Sequence, residues 1–120
     1  MRVGIDSVDI ARIEKSLEIN GFFEKVYSPA EQEFLSKKKN PVPSCAANFA
    51  AKEAFGKALG TGVSGFGLSE VSVLRDEKGC PYIELSGNAA KCGKGYGFTV
   101  SITHTDDVAT AIVIAYDKDL

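Results

Sequence analysis

Histidine occurs once in the 120 residues, at His104. Metal centres built on two or more imidazoles are thereby excluded within the chain, which leaves oxygen-ligated cations such as magnesium as the natural choice. Cysteine is almost as sparse. Cys45, Cys80 and Cys92 are odd in number, far apart and without C-x-x-C spacing, which argues against a disulfide framework and against a zinc site. No apolar run approaches the length of a membrane span, and the opening MRVGIDSVDI carries acids where a secretory signal would be unbroken and apolar. These absences predict a cytoplasmic protein with no membrane segment. Neither sign of charge dominates: 14 Lys and Arg stand against 16 Asp and Glu, for a formal charge of -2. That balance argues against a general binder of nucleic acid or membrane surfaces, so an anionic ligand must be met by a local patch.

What is present is the composition of an ordinary globular protein, 44% hydrophobic and 25% charged. The length predicts one domain over 1–120, so its functions must fit on one body or between copies of it. Residues 1–7 have the β-branched character of a strand, with Asp9 positioned to cap a helix to about Glu18 through Ile10, Ile13 and Leu17. Asp6 is expected at the strand–helix junction. Ser28-Pro29-Ala30-Glu31 is a capping box with Pro at the first helical position, and its helix should run to about Lys38. Ser44 is expected to open the main helix, whose alanines and Phe55 keep helical spacing until Gly60 and Gly62 end it. A hairpin from Glu70–Arg75 to Pro81–Leu85, a short helix near 86–94 and strands at Phe98–Thr103 and Val108–Tyr116 complete the pattern. The prediction is an α+β fold with a long central helix packed on an antiparallel sheet.

Chemistry concentrates on Lys52-Glu53 and Lys57, read as one acidic and two basic groups on a helical stripe running into a Gly-rich stop. A carboxylate beside ammonium groups can hold a divalent cation and phosphate oxygens together. Singly, each residue has a plainer explanation. Glu53 and Lys57 are four apart, which by itself makes a surface ion pair contributing about 0.2–0.5 kcal/mol; Lys52 alone is a solvated lysine; Asp6 is a turn residue; His104 is a half-exposed strand end.

Three segments taken together change that balance: GIDSVDIARI from Gly4, FAAKEAFGKALGTG from Phe49, and SITHT from Ser101. In order and spacing they resemble the holo-acyl-carrier-protein synthases, the short class of 4'-phosphopantetheinyl transferases, over essentially the whole chain. The resemblance implies Mg2+-dependent transfer of the 4'-phosphopantetheine arm of coenzyme A to a serine of apo-acyl carrier protein, releasing adenosine 3',5'-bisphosphate. It also implies a homotrimer with coenzyme A held between subunits. Carried over by position, Asp6 and Glu53 match the metal-binding, catalytic acids and Lys57 the lysine that meets the pyrophosphate. His104 and Thr105 match the coenzyme A site, and Gly60 and Gly62, with Gly65, can bring backbone N–H groups near the same ligand. Arg12 matches a carrier-protein contact that Lys15 and Lys25 would extend. The general base is left between Glu53 and a metal-bound water. One departure stands out: the family often has Arg before the Phe of its central motif, whereas Asn48 precedes Phe49 here. A phosphate contact is then lost or supplied elsewhere, with Lys37, Lys38 and Lys39 as candidates. Two other readings stay open, a non-catalytic coenzyme A or nucleotide-binding module and an oligomerisation subunit, and which carrier protein is served is not legible.

Overall fold

The computed structural model describes residues 1–119. Strand β1, Arg2–Asp9, buries Gly4 and Val8 and turns Val3, Ile5 and Ser7 outward, the period-two pattern of a strand covered on one face. It pairs antiparallel with β5, Val108–Asp117, which pairs in turn with β4, Tyr96–His104, giving the order β1-β5-β4. A separate hairpin joins β2, Val71–Arg75, to β3, Pro81–Leu85. The α+β class and the antiparallel sheet are as the sequence predicts.

Helix α1, Ile10–Leu17, follows β1 without a loop. Asp9 makes no side-chain cap bond; the start of the helix is instead tied to the β4–β5 turn, where Ile10 N–H donates to the Asp107 carbonyl at 2.8 Å. A short helix that the sequence reading did not anticipate, α2, spans Phe22–Val26. It begins after Gly21 at φ 88°, and its Phe22 and Phe23 pack on Tyr27, with Phe22 also stacked on Phe49. Helix α3, Pro29–Ser36, carries the expected capping box in full: Glu31 N–H donates to Ser28 Oγ, and Ser28 N–H to Glu31 Oε1.

Helix α4, Val42–Leu59, starts two residues before the expected Ser44, because Pro43 falls in the first turn, where its missing N–H has no helical partner to lose. It ends at Gly60, whose φ of 84° is the left-handed conformation that glycine tolerates. The helix lies across β1 and β5, burying Ala50, Ala51, Ala54 and Ala58 against the inward Ala109, Ala111, Val113 and Ala115. Small side chains on both sides let the layers approach closely. A Cβ on Gly4 would run into the Ala54 carbonyl oxygen and sit 2.5 Å from the Ala58 nitrogen. At the far side of α4, Phe55 packs against Phe66 and Phe98, with centroids at 5.3 and 4.9 Å. Helix α5, Gly87–Cys92, closes the turn before β4.

Candidate active site at the β1–α4 corner

Asp6 stands in the middle of β1 rather than at its junction with α1, since pairing with β5 continues to Asp9↔Val108. Opposite Ala111, it shares the face of Gly4 and Val8 that α4 covers. From α4, Lys57 Nζ donates to Asp6 Oδ1 at 3.0 Å and to the Ile5 carbonyl at 3.0 Å. The surface pair anticipated between Glu53 and Lys57 is not among the ion pairs of the described residues; Lys57 spans from helix to strand instead. Glu53 lies one helical turn before it. Burial and the neighbouring Asp6 carboxylate push the Glu53 pKa up, while Lys57 and Arg12 pull against that shift. Two carboxylates, an ammonium and a guanidinium thus act on one another at one corner.

Lys52 does not belong to this stripe, and the expectation of a solvated lysine is corrected. Its side chain is fully buried and ion-paired with Glu31 at 2.5 Å, and its ammonium also donates to the carbonyls of Leu68 and Val71. Successive helical residues differ by about 100° in direction, so Lys52 and Glu53 leave α4 toward different neighbours. Asn48 joins the buried side: it donates to Glu31 Oε2 and to the Val73 carbonyl, and accepts from Arg75. Position 48 therefore serves the interior of this chain. Among the candidates to replace the family's Arg, Lys37 pairs with Glu33 at 3.3 Å and Lys38 lies over the Phe34 ring.

Beyond Lys57 the chain folds back on the helix. Gly62 N–H donates to the Gly56 carbonyl at 3.0 Å, and a Cβ at Gly56 would collide with the Gly62 carbonyl. This close return holds Gly60-Thr61-Gly62 one turn past Lys57, with Gly60 at φ 84° and Gly62 at φ 64°. Arg2, which sequence reasoning did not single out, lies across the same helix end. Its Nε donates to the Ala58 carbonyl at 2.8 Å, and its guanidinium abuts Gly60. A cation at a helix C-terminus is favourably placed, and only pairing β1 beside α4 reveals it.

His104 and Thr105 fall elsewhere in the same chain. His104 ends β4 and lines a cleft of about 220 Å³ with Ile10, Glu14, Val42 and Pro43. From Pro43 to Glu53 the helix rises roughly 15 Å, so one copy does not bring His104 to the two acids. The Thr105 backbone N–H is committed to the Val108 carbonyl, and its hydroxyl accepts from the N–H groups of Asp107 and Val108. A ligand role through the Thr105 backbone N–H is closed, leaving the hydroxyl. Arg12 and Lys15 line a neighbouring cleft of about 480 Å³ together with Asp9, Asp106 and Asp107. That face carries both signs rather than a simple basic patch.

Among the described residues no group of three His, Cys, Asp or Glu side chains could enclose a metal, and all three cysteines are free. Asp6 and Glu53 supply two hard carboxylates. That set suits magnesium, which takes one or two carboxylates and completes its shell with water and substrate phosphates, better than a metal needing a full protein cage.

Comparison with known proteins bears on what acts at such a corner. The family model of the 4'-phosphopantetheinyl transferase superfamily matches residues 2–113. A holo-[acyl-carrier-protein] synthase of Treponema denticola is 43% identical over 116 residues, covering 93% of this chain and 94% of that protein. The chain belongs to the holo-acyl-carrier-protein synthase family of that superfamily. The same enzyme of Caldanaerobacter subterraneus is 40% identical over 117 residues, covering 94% of this chain and 92% of the relative. Among solved structures, the Bacillus anthracis synthase in complex with CoA (3',5'-ADP) superposes with a TM-score of 0.85 at 29% identity, covering 98% of this chain and 96% of that one. The Helicobacter pylori synthase in complex with coenzyme A gives 0.83 at 32% identity, covering 95% and 99%. No helix among the described residues of this family member is long and apolar enough to cross a membrane.

Proposed function

We propose that this chain transfers the 4'-phosphopantetheine arm of coenzyme A to a serine of an apo-acyl carrier protein, with Mg2+ as cofactor and adenosine 3',5'-bisphosphate as the other product. The observation that carries the reading is the corner itself: Asp6 from β1 meets Lys57 from α4 at 3.0 Å, with Glu53 repelled by the same Asp6. In the transfer the serine oxygen bonds to the phosphorus at the pantetheine end of the pyrophosphate, and the bond from that phosphorus to the bridging oxygen breaks. The serine loses its proton and the bisphosphate leaves with the bond's electrons.

Asp6 and Glu53 would hold the magnesium ion, which when bound supplies positive charge against the pyrophosphate oxygens. Lys57, anchored on Asp6 and the Ile5 carbonyl, would offset the negative charge that grows on the departing bisphosphate, an interaction worth most in the transition state. Glu53 or a water held beside it would take the serine proton. The N–H groups of Gly60 and Gly62 are bonded to the Lys57 and Gly56 carbonyls at 3.0 Å each, so these glycines would serve the ligand by shaping the turn past Lys57 rather than by donating to it, and Arg12 and Lys15 would meet the carrier.

A homotrimer with sites between copies fits two features. His104 stands roughly 15 Å along α4 from Glu53 within one chain, too far for one phosphate group to touch both. The outward face of the sheet also leaves Val3 and Ile5 more than half exposed, at 52% and 56%; they stand opposite Ile114 and Ile112 on β5. An uncovered β-branched face of this kind is what further copies of the chain would bury. His104 of one copy would then approach the phosphates or nucleotide held at the Asp6–Glu53 corner of another. Incubation with apo-carrier, coenzyme A and Mg2+ tests the whole reading by mass spectrometry: the carrier should gain one phosphopantetheine arm, and an unchanged carrier mass would reject it.

A further inference from the structure

Helix α4 faces a specification problem. Its buried residues include Cys45, Ala46, Ala47, Ala50, Ala51, Ala54, Phe55 and Ala58, which lie on every side of the helix. A helix that is small and apolar all round has no single stripe to decide which way it turns. Yet the site depends on that rotation, because Glu53 and Lys57 must point at β1. The polar residues on the opposite side supply the missing information. Asn48 and Lys52, four apart and therefore on one side, both reach Glu31 of α3. The Lys52 ammonium is held at three points on three segments: Glu31 Oε1 at 2.5 Å, the Leu68 carbonyl at 2.8 Å and the Val71 carbonyl at 2.5 Å. Glu31 is itself fixed by the N–H groups of Ser28 and Val73.

We propose that Lys52 is a positioning residue of the site: its docking on Glu31, Leu68 and Val71 sets the rotation of α4 that turns Glu53 and Lys57 onto Asp6. A buried ion pair adds little net stability compared with apolar side chains of the same size, and its best attested role is to fix register. Lys52 precedes Glu53 directly, so the anchor and the acid cannot turn independently. The role rests on the transferase reading for its effect on turnover but not for its effect on the helix.

Lys52→Met removes the anchor at nearly constant volume; Glu31→Gln/Lys52→Met is the second variant, in case an unpaired Glu31 carboxylate prevents folding. Both are made with Cys80→Ser and Cys92→Ser, so that the buried Cys45, on the same side of α4 as Asn48, is the only thiol. Turnover is measured per folded molecule, well below the melting temperature. A misplacement of about 1 Å predicts roughly a 100-fold loss of kcat, together with faster labelling of Cys45 by a thiol reagent. A role confined to stability would lower the melting temperature and speed Cys45 labelling only as far as the lost unfolding free energy accounts for; folded variants with kcat within twofold and no labelling beyond that would overturn the proposal. Cys45 labelling needs no substrate, so a parent protein that never modifies a carrier would refute the transferase reading while labelling still decides the rotation.

Discussion

Replacing Gly4 by alanine links the closest contact of the fold to the geometry of the site. The added methyl would meet the Ala54 carbonyl oxygen and lie 2.5 Å from the Ala58 nitrogen, against about 3.3 Å or more for an ordinary carbon–oxygen approach. Both obstacles are backbone, so no side chain can swing away. β1 and α4 must separate by something near 1 Å. Overpacking of this kind costs about 1–3 kcal/mol, which for a domain of this size lowers Tm by roughly 3–15 °C. The same displacement acts on the site, because Asp6 lies two residues along β1 and its partner Lys57 lies between Ala54 and Gly60 on α4. A shift of about 1 Å there predicts about a 100-fold loss of transfer. Thermal unfolding by circular dichroism and the carrier mass shift measure the two effects on one sample. A Gly4→Ala protein that melts within 1 °C of the parent and keeps full turnover would refute the reasoning.

Glu53→Gln should raise Tm near pH 7 in metal-free buffer. A carboxyl with a raised folded-state pKa favours folding below its unfolded pKa and loses that contribution as pH climbs through the folded value; the advantage of the variant should therefore vanish near pH 4, and a constant difference at both pH values would contradict it. Added Mg2+ should raise Tm of the parent more than that of Glu53→Gln, and equal shifts would remove Glu53 from the metal site. Lys57→Met should lower kcat about 100-fold or more, on the scale of other lost transition-state contacts, with a smaller change in KM for coenzyme A; an effect on KM alone would deny it that role. Asp6→Ala and His104→Ala, each impaired alone, should recover activity when co-folded as mixed oligomers, because some sites then combine an intact Asp6 with an intact His104. No recovery in verified mixed oligomers would place both residues in one copy.

Local signals carried much of the fold to the surface of the sequence. The capping box at Ser28, the left-handed stop at Gly60 and the hairpin turn before Pro81 each depend on neighbours within a few residues, and each stands where expected. What depends on distant partners was not legible. Lys52 looks like any helical lysine until Glu31, Leu68 and Val71 are brought around it, and Asn48 looks like a lost phosphate contact until the same network explains it. Asp6 reads as the end of a strand because nothing nearby shows that β5 extends the pairing to Asp9. Helix α2 has no local signal, because five residues are too few for a periodic pattern. Motif spacing singled out Asp6, Glu53 and Lys57, and the fold brings these three together. It could not show that His104, from the same set of motifs, lies at the other end of α4.

The most direct test is the mass of an apo-acyl carrier protein after incubation with coenzyme A, Mg2+ and, in parallel, the parent chain, Asp6→Ala and Glu53→Ala, each confirmed folded. The carrier should gain a single phosphopantetheine arm with the parent and stay unmodified with either variant. Full modification by either variant would contradict the role given to that acid.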